Sequence, residues 1–201
     1  DFHLTATSPC RDMVTSLTVS FLNPLSSQLL IYGVPLFDVD CDSRLGTGLV
    51  DLGADEFGNG APPLAGTCED FVLRSVVNGA GDPNAFSKTA VTGDSLNVAY
   101  GSPNGRFFNR YPVLLGEVYF TGFAPSPNAG FAGLHLSPAG TIVLFDGVAN
   151  GAALTPLGVN FPGIVTPHPP GIALRVQAIV FDTTALNGIF ASTSAHDLIF
   201  N

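Results

Sequence analysis

The sequence predicts an all-β protein whose larger, C-terminal part is an antiparallel β-sandwich. Three observations predict this class. The chain has 23 glycines and 16 prolines in 201 residues, which argues against long helices and for short strands joined by tight turns. Hydrophobic residues make up 46% of the sequence, enough for a core, whereas charged residues make up only 11%. Short apolar or alternating segments recur between turn sequences such as NGAGDPN, SPNG and DGVANG.

Ten segments have the length and apolar pattern of β-strands. They are TSLTVSF (15–21), QLLIY (28–32), FVLRSVV (71–77), SLNVAY (95–100), VLLGEVYF (113–120), AGLHL (132–136), TIVLF (141–145), IALRVQAIVF (172–181), GIFAS (188–192) and HDLIF (196–200). The SPAG sequence between AGLHL and TIVLF suits a tight hairpin loop. GIFAS and HDLIF are predicted to form a second hairpin at the end of the chain.

The longest of these segments, 172–181, predicts how one strand of the sandwich is buried. Apolar residues at alternate positions share one face, whereas Arg175 and Gln177 lie on the other, with Ile179 and Phe181 further along. This pattern is typical of a strand in the middle of a sandwich sheet, with one face buried and the second face partly covered.

The segment GNGAPPLAG predicts a boundary between two folded units. Three glycines and a Pro-Pro pair lie close together here, and strand patterns stand on both sides. We therefore expect an N-terminal segment at 1–60, a linker at 61–66 and the β-sandwich domain at 67–201.

The charge of the chain and its lack of long apolar segments each argue against one class of partner. The net charge is −9, with one lysine, Lys88, and six arginines. A nucleic-acid-binding protein needs a basic face, so we expect no nucleic-acid partner. No segment approaches the roughly 20 apolar residues of a membrane span, and we expect no membrane insertion.

The three cysteines, Cys10, Cys41 and Cys68, predict at most one intramolecular disulfide. None belongs to a CxxC pair, and no histidine lies at zinc-ligand spacing from one. We favour a disulfide between Cys10 and Cys41. A pairing of Cys41 with Cys68, which would join the two segments, is the alternative.

Alternate aspartates in DVDCDS provide a candidate calcium site. Asp38, Asp40 and Asp42 have the spacing of the first half of a calcium-binding loop, in which carboxylates converge on a hard cation. The glycine and the distal glutamate of an EF-hand are missing. The alternative is a turn in which these carboxylates accept hydrogen bonds from backbone N–H groups. Ca²⁺ is thus the one cofactor that the sequence suggests.

The sequence offers little support for catalysis. His135 and His196 could share a metal ion if their strands were adjacent, but hydrogen-bonded sheet histidines are more common. Ser192 and Ser194 precede His196 and Asp197, although a catalytic triad requires convergence in space rather than in sequence. No GxSxG, HExxH or GxxxxGK[ST] motif occurs. We therefore expect that the protein is not an enzyme.

Aromatic residues in FFNRYP and VYFTGF suggest a carbohydrate-binding alternative. Tyr111 and Tyr119 could stack on sugars in a shallow groove, although the chain has no tryptophan, the residue best suited to stacking. The phenylalanines of these two segments are expected to belong to the core. They are Phe107, Phe108, Phe120 and Phe123.

Two N-terminal stretches, DFHLTATSPCRD and FDVDCDSRLGTGLVDLGADEFG, resemble the last turns of secreted bacterial right-handed parallel β-helix proteins. The residues on that pattern are Ser8, Pro9, Cys10, Asp12, Asp38, Asp40, Asp42, Arg44, Asp51, Gly53, Ala54, Asp55 and Glu56. Cys41 stands where these proteins usually have glycine, and Ser43 where they have proline. Residues 13–36 do not match. The resemblance implies a short β-helix-like segment, and that Asp1 is not the natural start of the chain.

The remainder of the chain resembles the β-rich C-terminal domain of large bacterial surface and secreted proteins. GLHLSPAG, GIALRVQAIVFD and NGIFASTSAHDLIF carry this resemblance. It implies an extracellular or cell-surface location and no known activity. Two or three β-helix coils would leave strand edges open, so Phe2 and Leu4 are predicted to contact neighbouring copies.

These observations favour a non-catalytic extracellular structural or assembly module. It would be a secreted homo-oligomer or polymer that associates into a filament or surface layer through its N-terminal strand edges. The alternative is a carbohydrate-binding accessory module of a larger secreted protein, with a polysaccharide as its partner. A hydrolase has the least support.

Overall fold

The computed structural model describes residues 64–201 and two strands nearer the N-terminus, and this part of the chain contains β-strands but no helix. The strands are β1 (Thr18–Leu22), β2 (Leu29–Gly33), β3 (Val72–Val77), β4 (Ser87–Ala90), β5 (Ser95–Gly101), β6 (Pro112–Phe120), β7 (Ile142–Asp146), β8 (Val159–Ile164), β9 (Ile172–Phe181), β10 (Phe190–Ser192) and β11 (His196–Phe200). The all-β prediction is confirmed for these residues. Among them, a search for helices suited to crossing a membrane finds none.

Contacts between Cα atoms divide the chain into two compact units, Asp1–Pro63 and Leu64–Asn201. In the first unit, β1 and β2 form an antiparallel pair in which Ser20 lies opposite Ile31. The predicted β-helix-like segment lies largely outside the described residues, and β1 and β2 fall within the stretch that does not match the β-helix pattern.

The second unit contains two sheets. The larger has the strand order β4-β11-β9-β6-β7, and β10 pairs with the far end of β9. The smaller has the order β3-β5-β8 and is antiparallel throughout. The prediction of a purely antiparallel sandwich needs one correction, because β4 and β11 pair in parallel.

The hydrophobic core is made of side chains from both sheets, as expected for two sheets packed face to face. Leu73, Val98 and Tyr100 come from the smaller sheet, whereas Val176 and Leu198 come from the larger. The prediction for β9 is confirmed, since Val176, Ala178 and Val180 face this core.

Arg175 and Gln177 lie on the opposite, outer face of the larger sheet, and both are buried. Residues 121–141 cover them and form turns instead of the predicted AGLHL strand. Backbone groups of this covering segment bond to side chains of the sheet. Gln177 accepts a hydrogen bond from the N–H of His135 and donates one to the carbonyl of Gly133. Glu117 accepts a hydrogen bond from the N–H of Ser137. The predicted hairpin between AGLHL and TIVLF is therefore wrong.

The predicted hairpin between GIFAS and HDLIF is also wrong, although both segments contain strands. β10 and β11 follow each other along the same strand, β9: Phe190 lies opposite Phe181, and His196 lies opposite Val176. In the segment between β10 and β11, the hydroxyl of Thr193 accepts a hydrogen bond from the N–H of Ala178. A side chain thus replaces a backbone partner, and the chain continues in the same direction.

The sequence also misses two strands and misplaces two aromatic residues. β4 and β8 are short and contain few apolar residues in alternation, so periodicity did not reveal them. Phe107 is fully buried as predicted, but Phe120 and Phe123 are 65% and 80% exposed. Phe120 is the last residue of β6 and Phe123 follows the strand, and neither ring belongs to the core cluster.

Candidate functional site

Several residues predicted to carry function lie outside the described part of the chain. They are Asp38, Asp40 and Asp42 of the candidate calcium loop, the assembly residues Phe2 and Leu4, and Cys10 and Cys41. These assignments stay predictions. Within the described residues, no group of three or more histidine, cysteine, aspartate or glutamate side chains is arranged to hold a metal ion.

Cys68 is the cysteine that the structure describes, and its sulfur is disulfide-bonded. Both pairings considered from the sequence, Cys10 with Cys41 and Cys41 with Cys68, include a cysteine outside the described residues, and both stay predictions.

His135 and His196 lie on opposite faces of the larger sheet and therefore cannot share a metal ion. His196 is paired with Val176 and faces the core. His135 lies in the segment that covers the outer face, where its Nε2 contacts the carbonyl oxygen of Ala65. Asp197 also faces outward, where it forms a two-bond ion pair with Arg175 at 2.7 and 2.9 Å. The Ser-His-Asp arrangement considered from the sequence is therefore absent around His196.

His196 instead forms a hydrogen bond with Ser75, which the sequence had not singled out. The Oγ of Ser75 lies 2.7 Å from Nδ1 of His196, and both residues are at most 1% exposed. Burial, reinforced by the positive charge of Lys88, lowers the pKa of His196 to about 4. The residues are 121 positions apart, and no local pattern links them. Because no substrate can reach this pair, its role is structural.

Tyr111 and Tyr119 do not form one sugar-stacking platform. Tyr111 immediately precedes β6 and Tyr119 is its second-last residue, so a separation of eight extended residues corresponds to about 26 Å at ~3.3 Å per residue. Tyr111 is 45% exposed. Tyr119 contacts the Arg175 guanidinium, and burial together with the neighbouring Asp197 raises the pKa of Tyr119 to about 12. The two rings would not contact the same monosaccharide.

The outer face of the smaller sheet is better suited to bind a ligand, and we call it the groove face. Arg74 on β3, Ala99 on β5 and Asn160 on β8 form a row across it. On the same face of β5, Gly101 lies two residues after Ala99 and Asn97 lies two residues before it. A groove of about 160 Å³ lies over Arg74, Ala99 and Gly101, and Asn97 and Asn160 lie on the same face beside it. The side chains that rise around it include Pro103, Pro156 and Leu157.

Arg74 differs from the other basic side chains of residues 64–201. Arg106, Arg110 and Arg175 each form an ion pair, with Glu69, Asp182 and Asp197 respectively, and Lys88 donates to the carbonyl of Ala85. Arg74 is exposed and makes neither an ion pair nor a side-chain hydrogen bond within the described residues. Its five N–H donors are thus available to a ligand.

The two amides of the groove face are also available. Neither Asn97 nor Asn160 makes a side-chain hydrogen bond within the described part of the chain, whereas Asn78, on a nearby turn, bonds to both Asp94 and Ser95. An amide supplies both donors and an acceptor. The face therefore presents planar hydrogen-bonding groups on both sides of a floor of small residues.

Gly158 shapes one wall of the groove. Its φ is +69°, in the left-handed region that favours glycine, and a Cβ at this position would lie 2.6 Å from the carbonyl oxygen of Tyr100. The absence of a side chain lets the segment with Pro156 and Leu157 approach the end of β5 closely. As a result, Leu157 stands 96% exposed beside the floor.

Comparisons with known proteins do not assign a family. No protein-family model and no curated protein matches the chain. Among solved structures, a chitin-binding domain from Burkholderia pseudomallei aligns with 12% sequence identity and a TM-score of 0.32, over 57% of each chain. A similarity at this level does not establish a common fold.

Proposed function

We propose that this protein is a non-catalytic extracellular module that binds a polysaccharide through the groove face. One observation carries the proposal: Arg74 in the groove, and Asn97 and Asn160 on the same face of the sheet beside it, present hydrogen-bonding groups that no described residue uses. Secretion and kinship with the C-terminal domains of bacterial surface proteins, which the sequence suggests, form part of the same proposal.

The chemistry of the groove face matches that of a sugar chain. Sugar rings carry neighbouring hydroxyl groups that both donate and accept, and a guanidinium or an amide can bond to two of them at once. Sugar C–H groups need apolar contact, which Pro103, Pro156 and Leu157 supply. Ala99 and Gly101 leave room for a ring to approach the sheet, and an open groove admits a chain at any point along its length.

The non-catalytic part of the proposal is supported by the buried histidine. Among the described residues, His196 is hydrogen-bonded to a serine, Ser75, and both side chains are buried. The carboxylates near the groove are engaged in structure. Asp70, for example, accepts hydrogen bonds from the hydroxyl of Ser102 and from two backbone N–H groups.

The test is affinity electrophoresis of the full chain through gels that contain soluble neutral or acidic polysaccharides, together with pull-down on insoluble cellulose and chitin. We expect retardation or retention by at least one polysaccharide. Arg74→Ala should weaken that binding roughly tenfold or more, since a hydrogen bond to a charged group contributes ~1.5–3 kcal/mol. Asn160→Ala should weaken it by a smaller factor.

Two further variants make this test specific. Asn84→Ala removes an exposed amide whose side chain makes no hydrogen bond among the described residues and lies away from the groove, so its binding should equal that of the wild type. Arg74→Lys keeps the charge but loses the planar fork, and it should recover only part of the affinity. Binding that is unaffected by Arg74→Ala, or no binding to any polysaccharide, would contradict the proposal.

A further inference from the structure

The smaller sheet differs in charge from the chain as a whole. Its strands β3, β5 and β8 contain one basic residue, Arg74, and no aspartate or glutamate. The whole chain, by contrast, has 16 acidic and 7 basic residues and a net charge of −9. The strands that form the groove face therefore carry a single positive charge on an otherwise acidic protein.

The carboxylates that directly flank these strands are already used by the protein. Asp70, two residues before β3, accepts three hydrogen bonds from residues 102–106. Asp94, immediately before β5, accepts hydrogen bonds from the side chain of Asn78 and from the N–H of Val91. Within the part of the chain that the structure describes, neither carboxylate forms an ion pair. These two acids stabilise turns and do not neutralise the groove face.

The paired arginines of the same unit show what Arg74 lacks. Arg175 donates two hydrogen bonds to the carboxylate of Asp197, at 2.7 and 2.9 Å. Arg74 has the same five donors, and no described residue accepts from them. A carboxylate or sulfate group of a ligand would complete the same arrangement, because its oxygens match two parallel N–H groups of a guanidinium.

We propose that the polysaccharide bound by the groove face is acidic, and that Arg74 pairs with a carboxylate or sulfate group on one of its sugar units. This inference rests on the proposed function, because it concerns the ligand of the same groove. Hydrogen bonds between charged groups are roughly twice as strong as those between neutral groups, so the guanidinium favours an acidic sugar over a neutral one. Asn97 and Asn160, beside the groove, are suited to the hydroxyl groups of either kind of sugar.

The net charge of the chain makes this contact specific. A protein with a charge of −9 does not attract polyanions in general, so an acidic polysaccharide gains binding energy from charge only where it meets an unpaired cation. At 0.15 M salt the Debye length is about 8 Å, so exposed acidic residues farther from the groove repel the ligand only weakly. We therefore expect the preference for an acidic polymer to depend on the one guanidinium of Arg74.

The test compares polysaccharides that differ in charge, by isothermal titration with the full chain at 0.15 M salt. Polygalacturonate and hyaluronan are each compared with their methyl esters, and dextran sulfate is compared with dextran. The charged member of at least one pair should bind about tenfold or more tightly than the neutral member. The pairs that respond distinguish a carboxylate from a sulfate as the group that Arg74 contacts.

Three variants assign this preference to Arg74. Arg74→Gln keeps a planar amide but removes the charge, and should lower the affinity for the charged member to that for the neutral one. Arg74→Lys keeps the charge, and should retain the preference at reduced affinity. Ser126→Asp is the matched control, because it changes the net charge by the same amount as Arg74→Gln. Ser126 is exposed in the segment that covers the outer face of the larger sheet, and this variant should keep the full preference.

The outcomes separate this inference from the proposed function. Equal affinity for both members of every pair, or a preference that survives Arg74→Gln, would overturn the inference. If neutral polysaccharides then bind and Arg74→Ala weakens their binding, the proposed function stands without it. If neither charged nor neutral polysaccharides bind, the proposed function itself is wrong, and the inference is overturned with it.

Discussion

Ser75 and His196 connect the two sheets of the sandwich through a buried hydrogen bond. Ser75 lies on β3 of the smaller sheet and His196 on β11 of the larger, and Oγ of the serine is 2.7 Å from Nδ1 of the histidine. The Nε2 atom of His196 is buried and has no hydrogen-bond partner in the described part of the chain. The single bond to Ser75 is therefore the main compensation for burying this ring, together with an edge-on contact with Phe86 at 6.0 Å.

Replacing Ser75 by alanine should destabilise the protein. The substitution removes the hydroxyl and leaves both nitrogens of a buried imidazole without a partner, which costs about 1–3 kcal/mol. Chemical denaturation at pH 7 would measure the loss. Ser126→Ala is a suitable control, because Ser126 is exposed and should change the free energy of unfolding by less than about 0.5 kcal/mol. Equal stability of the two variants would show that the bond contributes nothing.

Acid should destabilise the folded protein between about pH 6.5 and pH 4, because of His196. Its pKa is lowered to about 4 by burial, from 6.5. A depressed histidine pKa means that the unfolded chain binds a proton in this window while the folded protein does not. Stability is therefore complete above pH 6.5, decreases as pH falls towards 4, and loses up to about 3 kcal/mol. Unfolding midpoints measured in steps across this range would reveal the decrease.

The variant His196→Asn identifies the source of this pH dependence. Asparagine does not titrate, and it can still bond to Ser75, so its stability should change little between pH 6.5 and pH 4. His168→Asn should keep the wild-type profile, since His168 lies outside the core in a partly exposed position. The charged groups that act on His196, namely Lys88, Asp197 and Asp82, are unchanged in both variants. A His196→Asn profile identical to that of the wild type would contradict this assignment.

Two glycines with similar backbone angles should respond differently to alanine. Gly158 and Gly151 have φ values of +69° and +62°, so alanine is strained by about 1 kcal/mol at either position. At Gly158 the new Cβ would also lie 2.6 Å from the carbonyl oxygen of Tyr100, whereas at Gly151 it would meet nothing within 4 Å. Thermal unfolding should show a clearly larger loss for Gly158→Ala. Equal losses would mean that the wall of the groove can move freely.

The sequence predicts strands correctly where buried and exposed residues alternate along the chain. β9 is the clearest case, because its inward residues meet the core while Arg175 and Gln177 form the opposite row. The same reasoning failed for 132–136, whose apolar residues suggested a strand. There, the backbone is held by Gln177 and Arg175, side chains some 40 residues away, and periodicity contains no information about them.

The candidate site was less predictable than the fold. The sequence suggests Tyr111 and Tyr119 because aromatic residues bind sugars, but the distance between the two rings depends on the length of β6. Arg74, Asn97 and Asn160 came from three strands that are distant in sequence, and their common face depends on the register of β3, β5 and β8. Whether an arginine has an acidic partner is also a property of the folded chain.

The sequence by itself determined that this protein is built from short strands and turns, because glycine and proline interrupt helices and alternating apolar residues bury one face of a sheet. Only the tertiary structure decided which polar groups pair inside the protein and which groups on the groove face have no partner among the described residues. These features arise from contacts between distant residues, such as Ser75 with His196, and they depend on how the two sheets pack. Local preferences of the chain do not specify them.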